Sequence, residues 1–279
     1  MIEKEWRYYE KEVLAECKRI FRNCYIDYDI AIKGMYSKRK RQIDVYVKDN
    51  NGSIYIFDAK KYNKKIDVKI VESFISMVKD VGADYGVLVS EKGFTKAAQN
   101  RAHYGEKNIE VDILSLNDLK LFQSRLAIPY AGNNGVIAVA PFGWIIDGTR
   151  RDNMVATLYQ RGLSFEDAAR SKEWAYVNFW EKTGEINSLD KLISWQNSYL
   201  LEVDPKGIIE EKDDGLIWMR SFESKMYPTK EITLFRDFKD FILMVVLFSP
   251  DNLINRNINK IRYFLSKAYP VSIQSHNKN

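Results

Sequence analysis

The sequence predicts a mixed α/β fold for residues 1–128 and a separate α+β domain for residues 135–279. Up to residue 125, helix-like and strand-like segments follow the order α-β-β-β-α-β-α-β-α. An antiparallel meander that leads into a crossover unit builds a mixed sheet. Residues 129–135 are dense in turn-forming residues and lack periodicity, so they mark the boundary. The 46% apolar residues provide enough side chains for two cores.

Each element of the first domain follows from a local pattern. The first helix has apolar side chains at 3.6-residue spacing, Asp67 and Thr95 are N-caps, and the strands are rich in β-branched and aromatic residues. The predicted helices span 5–21, 67–81, 95–103 and 115–125, and the predicted strands span 25–32, 41–48, 53–60, 85–90 and 108–114.

The second domain combines helices and strands in a less regular order. Apolar spacing predicts helices at 152–161, 165–182, 189–200 and 251–267, and strands at 206–211, 215–222, 230–236 and 240–248. Residues 158–169 have the pattern of a helix–turn–helix with Ser164 as cap, although an ordinary αα-hairpin is favoured. The aromatic residues near Trp174 and Trp195 are expected in the core rather than in a ligand pocket.

Composition excludes several classes of protein. The longest apolar run, residues 241–248, is too short to span a bilayer, and the charged N-terminus does not resemble a signal peptide. Cys17 and Cys24 lack the spacing of a zinc site and are expected to be reduced thiols. His103 and His276 are too few for a histidine metal centre. We therefore expect a cytoplasmic protein without membrane contact.

The most informative feature is the predicted hairpin at residues 41–60. A three-residue loop at 50–52, with Gly52 left-handed, sets Asp44 opposite Asp58. Like charges repel in that position unless a cation lies between them. Lys60 projects from the same strand face as Asp58. Two carboxylates and a lysine suit a divalent-metal site that hydrolyses phosphodiesters, but a two-residue turn would send the aspartates to opposite faces.

Basic residues surround these aspartates. Residues 33–69 contain eleven Lys and Arg against four Asp and Glu, and the whole chain has a net charge of +5. Such a field suits a polyanionic substrate, although a solvated face is the alternative. The expected contacts with nucleic acid are Lys40, Arg41, Lys61, Lys64 and Lys65.

The first 125 residues resemble the Mrr-type restriction endonuclease domain of the PD-(D/E)xK nuclease superfamily. The segments that carry the resemblance are Ile43-Asp44, Phe57-Asp58-Ala59-Lys60, Val87 to Ser90, and Gly93-Phe94-Thr95 with the alanines that follow. The resemblance implies a restriction-endonuclease-like fold and a DNA endonuclease of prokaryotic, antiviral defence. It also implies dependence on Mg²⁺, for which Mn²⁺ can substitute. Relatives carry Glu or Gln where this chain has Asp58, which still ligates a metal.

Roles follow from the resemblance together with the chemistry. Asp44 and Asp58 would hold the metal, and Lys60 would orient the nucleophile and neutralise charge. The family's first helix often adds an acidic residue, for which Glu10 is the best match and Glu12 the rival. Glu72 is a minor candidate.

Other interpretations stay open for the whole protein. The first domain could bind nucleic acid without cutting it, and the second could target, sense or oligomerise, or gate the nuclease through a small-molecule or protein activator. Because cutting two strands needs two sites or sequential action, a homodimer or higher homo-oligomer is expected.

Overall fold

The computed structural model describes residues 5–104, 109–122, 130–226 and 229–272. The chain folds into two compact units, Met1–Ser124 (unit 1) and Arg125–Asn279 (unit 2). Within the described residues, no helix is both long and apolar enough to cross a membrane.

Unit 1 is a five-stranded mixed sheet with four helices. Its sheet order is β1-β2-β3-β4-β5, in which β1, β2 and β3 are antiparallel neighbours and β3, β4 and β5 run parallel. The predicted element order is confirmed, and the part of the last predicted helix beyond residue 122 lies outside the described residues. The elements are α1 (Glu5–Ile20), β1 (Tyr25–Lys33), β2 (Lys40–Lys48), β3 (Ile54–Lys60), α2 (Val68–Asp80), β4 (Tyr85–Ser90), α3 (Lys96–Tyr104), β5 (Glu110–Leu114) and α4 (Leu116–Lys120).

Both faces of this sheet are covered because successive side chains of β3 point to opposite sides. Phe57 is fully buried and its ring contacts Phe21, which follows α1, and Phe122, which follows α4. Ile56 instead belongs to a cluster with Phe74 of α2 and with side chains of α3. The centre of β3 is therefore enclosed on both sides, which fixes the strand that carries Asp58 and Lys60.

Capping and turn residues lie at the predicted boundaries of the helices. The Asp67 carboxylate accepts a hydrogen bond from the backbone N–H of Ile70 at 3.2 Å, and the Thr95 hydroxyl accepts one from Ala98 at 3.3 Å. Gly93 has a φ of +73°, and Phe94 pairs with Ile66 in a parallel bridge. The Gly-Phe-Thr segment therefore packs beside the loop that follows β3.

The β2–β3 turn has the predicted geometry. Gly52 is left-handed with a φ of +88°, and the Asp49 N–H donates to the Ser53 carbonyl at 3.0 Å. Val45 pairs with Phe57, so one further step along the two strands sets Asp44 opposite Asp58. The register prediction is confirmed.

The β1–β2 ladder is interrupted beside Asp44. Asp29 has a φ of +54°. Tyr28 pairs with Val45 and Ile30 pairs with Ile43, but Asp29 and Asp44 between them are not paired. A left-handed residue bends the strand in which it lies. Beyond this bend, Ile30 and Ile43 pack in the same cluster as α2.

The tip of the bent hairpin is tied to the end of α2 through Asp80. This carboxylate accepts hydrogen bonds from the backbone N–H groups of Tyr36 and Ser37, both at 2.9 Å, and from the Ser37 hydroxyl at 2.5 Å. The Arg41 guanidinium contributes an ion pair at 2.6 Å. These donors hold the pKa of Asp80 far below its usual range.

Unit 2 contains a seven-stranded antiparallel sheet, ordered β11-β12-β13-β14-β10-β9-β8, and a three-stranded sheet, ordered β15-β7-β6. Its elements are β6 (Tyr130–Ala131), β7 (Asn134–Ile137), β8 (Trp144–Asp147), β9 (Ala156–Gln160), α5 (Phe165–Ser171), β10 (Trp174–Glu181), α6 (Leu189–Val203), β11 (Ile208–Asp213), β12 (Trp218–Glu223), β13 (Glu231–Asp237), β14 (Phe241–Phe248), α7 (Ile254–Lys267) and β15 (Tyr269–Ser272).

The two faces of the large sheet carry different helices. Leu234 and Leu243 pack in one cluster with Phe264 of α7, whereas their neighbours Phe235 and Ile242 pack with side chains of α6. Alternation along β13 and β14 therefore places α6 and α7 on opposite faces.

Three predictions for unit 2 are wrong. Residues 156–160 form the buried strand β9 rather than a helix, so neither a helix–turn–helix nor an αα-hairpin exists at 158–169. The helix predicted over 165–182 ends at Ser171, and its second half is β10. Residues 129–135 were predicted to be the break between the two domains, yet their described part pairs as β6 and β7 within unit 2.

Candidate active site

Asp44 and Asp58 face each other at the bend of the β1–β2 hairpin. Asp44 Oδ2 accepts a hydrogen bond from the Ala59 backbone N–H at 2.8 Å, just beyond the last paired residues of β2 and β3. Asp58 is buried, with only 6% of its surface exposed. Burial, and secondly the charge of Asp58, raise the pKa of Asp44 to about 7. Near neutral pH the pair therefore favours a bound proton or a cation.

Lys60 is the cation of this arrangement. Its Nζ lies 2.8 Å from Asp58 Oδ1 and 2.7 Å from Asp58 Oδ2. Burial opposes the charged ammonium, but Asp58, with Asp44 behind it, outweighs burial and raises the pKa of Lys60. The lysine therefore remains protonated beside Asp58.

The first helix directs Glu10 toward this group. Glu10 accepts a hydrogen bond from the Tyr28 hydroxyl at 3.4 Å. Burial raises its pKa against the effect of that hydrogen bond, and the charges of Lys60 and Asp58 act on it as well. Glu12 instead lies near Tyr9, because burial, then the charge of Glu91 and then that of Glu12 raise the pKa of the Tyr9 hydroxyl. The geometry favours Glu10 as the acidic residue of α1 that faces the site.

Tyr28 was not predicted as a site residue. Burial, and secondly the charge of Glu10, raise its pKa, and Asp44 also contributes. The hydroxyl thus lies between the helix and the carboxylate pair. Only the strand register brings it there, and a tyrosine in an alternating strand gives no separate signal.

The five basic residues predicted to contact nucleic acid differ in their exposure and in their acidic partners. Lys40, Lys64 and Lys65 are exposed. Lys61 lies 3.2 Å from Glu5 in a partly exposed ion pair. Arg41 is bound to Asp80, so its guanidinium stabilises the hairpin tip. Three of the five cations are thus exposed to solvent, and two have acidic partners.

The remaining candidates lie apart from the carboxylate pair. Glu72 pairs with Arg101 of α3 at 3.6 Å. Cys17 is buried and burial raises the pKa of its thiol, which suits a core thiol, and Cys24 is also free. His103 lies near the end of α3, and His276 lies outside the described residues.

The donor set is compatible with Mg²⁺, although it is small. Mg²⁺ is commonly held by one or two carboxylates together with water and substrate phosphate. Asp44 and Asp58 supply two carboxylates in a like-charge pair that is costly without a cation. In the described parts of the chain, no group of three or more His, Cys, Asp or Glu side chains is arranged to hold a metal. An ion here would therefore depend on water and phosphate for its other ligands.

Residues 14–121 match the family model described as restriction endonuclease, Mrr_cat. This part of the chain is a Mrr-type restriction endonuclease domain. The Mrr-type domain contains Asp44, Asp58 and Lys60, whereas Glu10 lies just before the matched range. No family model matches the C-terminal part of the chain. The match supports a nuclease with a restriction-endonuclease-like mixed sheet.

Three solved structures give weak similarities. A repair endonuclease from Pyrococcus abyssi is 20% identical over 41% of this chain and 49% of its own, with a TM-score of 0.29. The protein of unknown function AF1548 is 16% identical over 38% of this chain and 57% of its own, with a TM-score of 0.31. The PsbP protein of Synechocystis sp. PCC 6803 is 10% identical over 50% of this chain and 89% of its own, with a TM-score of 0.34.

The chain thus spans about half the length of the first two of these proteins. No curated protein matches the sequence. Because all three structural similarities are weak, the assignment of the Mrr-type domain depends on the family match.

Proposed function

We propose that the protein is a Mg²⁺-dependent DNA endonuclease of prokaryotic defence, with Mn²⁺ able to replace Mg²⁺. The observation that carries this proposal is the pair formed by the partly buried Asp44 and the buried Asp58 beside Lys60, within a restriction endonuclease domain. Once Asp44 has lost its proton, one lysine cannot balance both carboxylate charges, and a divalent cation would supply the missing positive charge.

Asp44 and Asp58 would hold the ion, and Glu10 would orient a water molecule near it. When bound, the ion supplies Lewis-acid polarisation of a phosphate oxygen and lowers the pKa of water. Lys60 enters the reaction as an ammonium, because its pKa is raised. This charge suits contact with the scissile phosphate and stabilisation of the developing negative charge, rather than removal of a proton.

The exposed lysines support DNA as the substrate. Lys64 and Lys65 follow the strand that carries Lys60, and Lys40 opens β2 four residues before Asp44. Lysines in such positions attract phosphate groups at a distance and position a duplex on the site. Unit 2 would target, sense or oligomerise, and a homodimer would present two sites to a duplex.

The second candidate function is nucleic-acid binding without cleavage. The observation in its favour is that Asp58 has both oxygens paired with Lys60 and that only two carboxylates face each other. A salt-bridged pair of this kind can stabilise a binding module that never takes up a metal.

Cleavage of supercoiled plasmid distinguishes the two functions. Purified full-length protein is incubated with DNA in Mg²⁺, in Mn²⁺ and in EDTA, beside the variants Asp58→Ala and Lys60→Ala. Glu72→Gln is the control, because its ion pair with Arg101 lies in the helical layer. We expect metal-dependent cleavage by the wild type and the control only.

Cleavage that persists in both site variants would show that the activity resides elsewhere. A wild type that never cleaves modified or unmodified DNA, yet binds it with a steep salt dependence, would establish the binding module.

A further inference from the structure

Unit 2 contains a cavity of about 390 Å³ between the last turns of α6 and the sheet. Tyr199, Leu200 and Val203 of α6 form one wall, and Phe222 and Phe248 form the other. Most of its surface is apolar, and its volume lies within the usual range for small-molecule sites, roughly 300–1,000 Å³.

One carboxylate, Glu231, lines this cavity. Its Oε1 accepts a hydrogen bond from the Thr233 hydroxyl at 3.2 Å and lies 3.4 Å from the Arg220 guanidinium. Among the residues that the structure describes, no donor reaches Oε2. The carboxylate is therefore anchored by one oxygen and presents the other.

Arg220 does not make the cavity basic. It is buried beneath the site, with 4% of its surface exposed, and donates to Gln196 at 2.8 Å and to Thr233 at 3.2 Å as well as to Glu231. Lys230 neighbours Glu231 in sequence but pairs with Glu210 and Glu223. No lysine or arginine is among the described residues that line the cavity.

The other polar side chains of the wall, those of Tyr199, Ser224 and Thr229, are uncharged hydroxyl groups. Ser224 donates its hydroxyl proton to Asp204 and accepts a hydrogen bond from the Met226 N–H at 3.0 Å. Glu231 Oε2 is consequently the charged atom that a ligand would meet among the aromatic rings.

We propose that this cavity binds a small organic cation with a ring or other bulky apolar substituent. The faces of aromatic rings attract ammonium groups, and one carboxylate oxygen fixes such a group. A phosphate or carboxylate ligand would instead meet the like charge of Glu231, whose partner Arg220 is buried and does not line the cavity. The inference concerns unit 2 alone and is independent of whether unit 1 cleaves DNA.

Two probes that share an indole ring test the charge preference. Tryptamine carries an ammonium and indole-3-acetate carries a carboxylate, and binding of each to full-length protein is measured by isothermal titration calorimetry. We expect tryptamine to bind at least about tenfold more tightly than indole-3-acetate. Glu231→Gln keeps an oxygen for Arg220 and Thr233, and we expect it to abolish this preference.

A second pair of variants guards against misfolding. Tyr199 and Tyr269 are both exposed tyrosines of unit 2, with 59% and 67% of their surfaces accessible, but only Tyr199 lines the cavity. Tyr199→Ala should weaken tryptamine binding about tenfold, and Tyr269→Ala should leave it unchanged. Equal affinity for both probes, equal effects of the two alanine variants, or no binding of tryptamine would overturn the proposal.

Discussion

Replacing Asp44 by asparagine removes a charge that the metal-free fold tolerates poorly. Burial and the neighbouring Asp58 raise the pKa of Asp44 from 3.8 to about 7. The folded protein thus retains a proton that the unfolded chain has released, and its stability falls as the pH rises through this window. Asparagine preserves an oxygen that accepts the hydrogen bond from Ala59.

The size of this loss of stability follows from the interval between the pKa of Asp44 in the unfolded chain and its pKa in the folded protein. Each pH unit between the two pKa values costs about 1.4 kcal/mol, and the full cost is reached above pH 7. Between pH 5 and pH 8.5, the wild type should lose on the order of 2–3 kcal/mol relative to Asp44→Asn. At pH 8.5 we therefore expect Asp44→Asn to be more stable than the wild type.

Urea unfolding in EDTA at both pH values measures this difference. Asp152→Asn, at an exposed position, should parallel the wild type. Asp58→Asn should stabilise less than Asp44→Asn, because it also deprives Lys60 of its partner. Added Mg²⁺ should raise the unfolding midpoint of the wild type at pH 8.5 and leave that of Asp44→Asn unchanged. If wild type and Asp44→Asn lost stability in parallel, the carboxylates would not share a desolvated site.

Three further substitutions probe the site and the core. Lys60→Ala should lower the single-turnover cleavage rate by about 10²–10³ while DNA affinity in a fluorescence assay changes little, and an unchanged rate would remove the lysine from the chemistry. Glu10→Gln should lower the cleavage rate by about 10–100-fold and Glu12→Gln should not, whereas the reverse order would make Glu12 the residue of α1 that serves the site. Phe57→Ala opens a cavity between the sheet and the helices and should cost about 3–5 kcal/mol in urea unfolding, and a loss below 1 kcal/mol would mean that this ring contributes little to the core.

The carboxylate pair could be predicted because local chemistry determines it. The turn at residues 49–53 sets the register, and the register sets which side chains are opposed. Asp67 and Thr95 likewise determine helix starts through hydrogen bonds within a few residues. Helix caps and turns of this kind separate the elements of unit 1, and the order of these elements was predicted correctly.

Long-range packing determines what the sequence did not reveal. All five residues of β9 are buried, so the strand lacks the alternation that distinguishes it from a helix. Lys172 ends α5 in the left-handed conformation, which residues other than glycine adopt only where their surroundings require it. Tyr28 joins the site through its hydrogen bond to Glu10 on a distant element. These features depend on partners that no local window contains.

The hydrogen bonds to Asp80 hold the outer arm of the hairpin that carries Asp44. The hairpin bends at Asp29, and its outer arm is clamped by hydrogen bonds at the far end of α2, including one from Arg41, three residues from Asp44. We expect that removing these hydrogen bonds would loosen the outer arm and weaken the placement of Asp44 opposite Asp58. If the proposed nuclease function is correct, a screen for inactive variants should recover changes at Asp80 and Arg41 as well as at Asp44, Asp58 and Lys60.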